Sequence, residues 1–217
     1  MTQAMDAEGL KRKLKAAGET APEAWRTRLH RAISWLGRAE RDGDDTDARF
    51  IFLWIAFNAA YASEFAHEQS ERDRLRAFFA MLLSRDAGQR LAGLMLRQFS
   101  GPVRVLIENR YVYAPFWRAL RDHDSSGRWE ETFAASRKLA TAAVMSGDTA
   151  TVLSIVFDRL YVLRNQLLHG GATWNSAVNR AQVRDGATIL SHTVPVIVDL
   201  MLECPEADFG AIQYPVV

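Results

Sequence analysis

The stretch "VLRNQLLHGGATW" sets Arg164, Asn165 and His169 within six residues and follows them with Gly170 and Gly171. These residue types suit chemistry at an anionic centre. Arginine offers a planar fork of donors matched to phosphate or carboxylate oxygens. Histidine exchanges a proton near neutral pH and serves as base or acid, and asparagine can orient either partner. A structural role is open to the same residues: a histidine before paired glycines caps a helix, and the helix dipole there favours its charged form.

The apolar spacing predicts a helix from Thr149 to His169. On a wheel of about 100° per residue, Leu153, Val156, Phe157, Leu160, Leu163 and Leu167 form one broad buried arc. Arg164 falls inside that arc, and Asp158, Asn165 and His169 fall opposite it. An arginine directed at apolar surroundings is costly unless it is paired, or its stem carries the guanidinium to a polar cavity. Arg164 and His169 diverge by about 140° on an ideal helix, so one helix does not aim both at one small target. Two copies of the helix about a two-fold axis do, in a composite cleft.

An arginine, an asparagine, three further residues and a histidine near the end of a helix in an all-α chain resemble the signature of the HEPN superfamily (higher eukaryotes and prokaryotes nucleotide-binding). "LWIAFNAAY", on an earlier helix, also looks like that family's core helix. The resemblance spans about residues 25–202 and is specific over the motif. It implies a helical bundle that dimerises through the motif helices and, in many members, a metal-independent endoribonuclease needing no cofactor. Arg164, Asn165 and His169 then become the catalytic residues. Cleavage of RNA by its own 2′-hydroxyl needs a base, a proton for the departing 5′-oxygen and positive charge on the phosphorane between them. Other members are inactive modules that bind nucleotides or proteins, or are toxins and defence proteins held by an antitoxin or nucleotidyltransferase partner. Some such toxins carry a partner-modified tyrosine soon after the histidine. Here Gly170, Gly171 and Ala172 stand in that place.

Four residues are candidates for support. Asn58 is the one polar residue of an apolar helix and must find hydrogen bonds inside the protein, either at Arg164 and its cleft or on a neighbouring helix. Tyr61, one turn later, shares that choice. Trp174 either stacks on an RNA base or packs against the last helix. Asp158 lies about 16 Å along the axis from His169 and joins it only across a dimer.

The elements that must position these groups are helical throughout. The spacing of Trp25, Leu29, Ile33 and Leu36 predicts a first helix from Pro22 towards Gly43, with proline in its first turn. "GDDTD" caps a second, from about Thr46 to Phe65. A third opens at Ser70 and another ends near Phe99. Gly101-Pro102 then predicts a turn, followed by a helical or irregular piece to Leu120. "DHDSSG" is a loop, "RWEETFAASRKLATAAVM" a helix, and the last helix, about Ser176 to Leu202, is kinked or divided at Pro195. The expected class is an all-α bundle built on the second, motif and last helices. Residues 1–21 are expected as a basic extension, 22–204 as one domain and 205–217 as an extended tail.

Composition bounds the rest. With 48% hydrophobic residues in 217 the chain can bury a substantial core. A net charge of +1 excludes a global electrostatic case for nucleic acid, although eleven arginines against six acidic residues lie between Glu71 and Arg128. One cysteine, Cys204, builds neither an intrachain disulfide nor a cysteine-rich zinc site, and no two histidines lie three or four apart. Phosphate-loop, dinucleotide and hydrolase-elbow motifs are absent. The longest apolar run, Phe50 to Ala62, is thirteen residues, too short to cross a bilayer. The expectation is a soluble, cytoplasmic protein without a membrane or metal partner.

Overall fold

A computed structural model describes residues 6–18, 21–62, 71–212 and 214. The helices are α1 (Ala7–Ala16), α2 (Glu23–Arg41), α3 (Thr46–Tyr61), α4 (Glu71–Leu83), α5 (Arg90–Gly93), α6 (Ser100–Glu108), α7 (Ala114–Arg121), α8 (Arg128–Ser146), α9 (Thr149–Leu168) and α10 (Arg180–Leu202). A π-helical turn, Leu94–Gln98, joins α5 to α6, and a 3-10 turn, Arg110–Val112, precedes α7. There is no strand among the described residues, so the class is all-α.

Local chemistry sets the ends. Asp45 caps α3 by accepting from the Asp47 and Ala48 amides, both at 3.0 Å. Asp148 caps α9: it accepts from the Thr151 amide at 3.1 Å and from the Thr151 hydroxyl at 2.7 Å. The Thr151 hydroxyl, and after it the amide, hold the Asp148 carboxyl below the usual carboxylate range. Left-handed Gly127 and Gly147, each at φ 73°, bracket α8.

Several expectations are corrected. Pro22 is the N-cap of α2 rather than part of its first turn. Gly101-Pro102 makes no turn, because Pro102 sits in the first turn of α6, where a missing amide hydrogen costs nothing. The last helix starts at Arg180, after turns at 174–175 and 178–179, and runs undivided through the buried Pro195. Helix α3 ends at Tyr61, and both Phe65 and Ser70 lie outside the described residues. In the amino-terminal segment, α1 buries Ala7 and Leu10 in the common core. After a turn at Pro205 and Glu206, the tail runs back to α2.

Helix α3 packs between α2 and α10, while α9 packs chiefly on α4 and α8. Three rings join these halves: Phe157 of α9 lies 4.3 Å from Phe57 of α3 and 5.0 Å from Phe79 of α4, centroid to centroid. Buried charge ties the periphery down. Asp199 of α10 accepts from Lys13 of α1 at 2.6 Å and from Arg90 of α5 at 2.7 Å. Arg28 of α2 donates to the carbonyls of Ala60, Ala62 and Gly210 at 3.0, 2.7 and 2.8 Å, which satisfies the end of α3 and fastens the tail. Burial pushes its pKa below the ordinary arginine value. Helix α10 is long and apolar enough to span a membrane by length and composition, yet 67% of its most apolar window is buried inside the protein, as in a core helix.

Gly186 lets α10 approach closely, since a Cβ there would stand 2.9 Å from both Leu160 and Phe50. Both neighbours are fully buried and have nowhere to move. Gly186→Leu should therefore lower unfolding free energy by about 2–3 kcal/mol, seen as a lower urea midpoint with little change in slope.

Candidate functional site

The motif lies where α9 leaves the core. From Thr151 to Leu163 only Asp158 and Tyr161 escape full burial; residues 164–167 are half-buried, and everything from Leu168 to Gly171 is exposed. His169 is the C-cap, its amide donating to the Asn165 carbonyl at 3.0 Å. Gly170 adopts φ 71°, and the Gly171 amide then closes on the Gln166 carbonyl at 2.8 Å, a Schellman bond. A Cβ on Gly171 would stand 3.2 Å from that same carbonyl oxygen. The two glycines thus stop the helix directly after His169 and leave the imidazole in solvent.

Arg164 and Asn165 are brought together: Nη1 of the arginine donates to Oδ1 of the asparagine at 2.9 Å. The guanidinium sits 6.0 Å from the Tyr161 ring, and its Nε is buried without a hydrogen-bond partner among the described residues. Nor does any carboxylate among them pair with it; its one side-chain partner is a neutral amide. The charge is oriented but not neutralised. His169 stands apart, and its ring makes no hydrogen bond among the described residues. No hydrogen bond joins Arg164 to His169 among the described residues.

Trp174 does not pack on the last helix. It is 75% exposed, and its indole N–H donates to Asp45 Oδ2 at 3.0 Å. Beside it, the Asn175 amide and Arg180 Nη2 both donate to Asp47 Oδ2, at 2.7 and 2.9 Å. The loop after the motif is therefore fastened to the start of α3. Hydrogen bonding from Ala48, and then from Trp174, keeps the Asp45 carboxyl below the usual carboxylate range.

Asn58 is exposed, which corrects its expected inward role; it occupies a part of the α3 surface that the described helices leave open. It lines, with Tyr61, Asp158 and Tyr161, a crevice of about 30 Å³, room for about one water. No hydrogen bond joins Asn58 to Arg164 among the described residues. Asp158 lies beside Arg159 at 3.8 Å, far up α9 from His169.

Two α9 residues that the motif did not bring to attention hold the flanking segment. Gln166 Nε2 donates to the Tyr111 carbonyl at 2.6 Å, and its Oε1 accepts from Asn179 at 2.8 Å. Arg159, 0% exposed, donates to Ser136 at 3.0 Å and lies 4.3 Å from the Tyr113 ring. A cleft of about 940 Å³ opens at the other end of α9, with Arg118, Arg128, Trp129 and Thr151 in its walls. No contiguous motif signalled it. No group of three His, Cys, Asp or Glu residues among those described could hold a metal ion.

Two outcomes follow. Gly170→Ala should cost about 1 kcal/mol in chemical denaturation, because an L-residue resists the left-handed conformation, whereas Gly170→Asn should cost less. Asp45→Ala should cost about 1 kcal/mol through the lost cap. Because the folded Asp45 pKa is depressed, its contribution is full above the unfolded value of about 3.9 and is lost as pH falls through the folded value. The gap between wild type and Asp45→Ala should therefore narrow in acid.

No protein-family model matches the chain, and neither a curated protein nor a solved structure is found to be similar to it.

Proposed function

We propose that the protein is a metal-independent endoribonuclease of HEPN type that works as a homodimer in the cytoplasm. Arg164 holds the scissile phosphate, Asn165 orients Arg164, and His169 transfers the proton. What supports this reading most is the state of Arg164: an arginine held by a neutral amide, whose Nε is buried and which, among the described residues, has no partner at that atom and no carboxylate beside it. A buried donor without a partner is expensive, and an incoming phosphate oxygen removes that cost.

In this mechanism the 2′-oxygen attacks the adjacent phosphorus and gives up its proton to one imidazole. The P–O5′ bond breaks, and the 5′-oxygen takes a proton from the other imidazole. Two copies of α9 supply both histidines and both arginines, which resolves the divergence of Arg164 and His169 along one helix. A 2′,3′-cyclic phosphate is left. A toxin or defence role with a controlling partner accords with the sequence resemblance.

The test is pure protein with single-stranded RNA in the presence of a chelator. The expected products end in 2′,3′-cyclic phosphate, and His169→Ala should cut the rate by about 10²–10⁴-fold with circular dichroism and sedimentation unchanged. Cleavage at an unaltered rate by folded His169→Ala protein would dismiss the mechanism. Tight RNA or nucleotide binding without products would mark the catalytically silent module instead.

A further inference from the structure

Beside the motif lies an exposed group of rings that core packing does not account for. Tyr111 is 46% and Trp117 39% exposed. Phe116 stands edge-on to both, at 5.5 Å from Tyr111 and 5.2 Å from Trp117. The Arg110 guanidinium lies over the Tyr111 and Phe116 rings at 5.1 and 5.6 Å. One carbonyl organises the group: Tyr111 O accepts from the Trp117 indole at 2.7 Å and from Gln166 of α9 at 2.6 Å. Arg159 grips the same segment through Tyr113. The rings are thus fixed to the motif helix at two points, and Gln166 precedes His169 by three residues, about 4.5 Å along the axis.

We infer that Arg110, Tyr111 and Trp117 form a stacking platform for the single-stranded RNA next to the scissile phosphate. This rests on the ribonuclease reading for the position of that phosphate. Rigid exposed rings offer π-faces to any unpaired base, so the platform selects single strands without reading sequence. Charge favours nucleic acid over an apolar protein face: across residues 100–122, Arg104, Arg110, Arg118 and Arg121 stand against Glu108 and Asp122, the latter paired with Arg121 at 3.0 Å. The ring series continues through Phe116 to Trp129, 5.0 Å away in the wall of the large cleft, which extends the track away from His169.

Fluorescence anisotropy with a labelled oligouridylate of about ten nucleotides, within the usual footprint of such surfaces, tests this on the full-length His169→Ala protein. Trp117→Ala should weaken binding by about tenfold or more, Trp117→Phe should restore most of it, and an abasic oligomer should bind both alike. Arg110→Gln should reduce the slope of log affinity against log salt by about 1. Equal uridylate binding by folded Trp117→Ala and its parent overturns the platform, as does a Trp117→Ala effect on sedimentation alone, which would assign the rings to an interface between copies. If Trp117→Ala loses RNA while His169→Ala cleaves it normally, the platform stands and the catalytic assignment falls. If Trp117→Ala binds normally while His169→Ala is inert, the catalytic assignment stands and the platform falls.

Discussion

The depth at which α9 is held governs everything near its end. Thirteen residues, Thr151 to Leu163, run through the core with only two half-exposed, and Phe157 fixes the register against Phe57 and Phe79. A helix so enclosed has no freedom to rotate or slide. The point at which it surfaces is therefore set by packing, and Arg164 occupies that boundary, with apolar surroundings behind it and solvent ahead. The left-handed Gly170 ends the helix one turn later, so a long rigid rod presents a short polar tip. Groups on such a tip gain the precision of the core while keeping a side open to solvent.

The buried ions elsewhere follow a different logic. Arg28 and Arg159 are deeply enclosed, yet each has partners: Arg28 takes backbone carbonyls, and Arg159 takes a hydroxyl and aromatic faces. Asp199 has two cations. Removing one member of such a set leaves its partner desolvated, which costs far more than the pair contributes. Arg164 differs in its place: it lies half-buried where its helix leaves the core, and its hydrogen-bond acceptor is a neutral amide.

What could be read from the sequence was local and periodic. The stripe of α2, the cap of α3, the loop before α8 and the glycine stop after His169 each reside in a few consecutive residues. Signals spread along the chain escaped. Arg159 looks like any surface arginine until Ser136 and Tyr113 are brought to it, and Trp174 gave no hint of Asp45, 129 residues earlier. Asn58 was expected inward because its neighbours are apolar, but an apolar helix need be covered only where partners reach it. Gly101-Pro102 looked like a turn because proline stops a helix interior; the same ring is harmless in a first turn. The cleft between α4, α7, α8 and α9 belongs to no segment.

The alliance of α3 with α10 carries a consequence for biosynthesis. Helix α3 is encoded in the first third of the chain and finds one of its two main partners only in the last fifth. Translation at about 5–20 residues per second leaves the aromatic flank of α3 uncovered for several seconds after it emerges from the ribosome. Lys13 and Asp199, separated by 186 positions, meet later still. A chain of this topology cannot complete its core until its last long helix has been made.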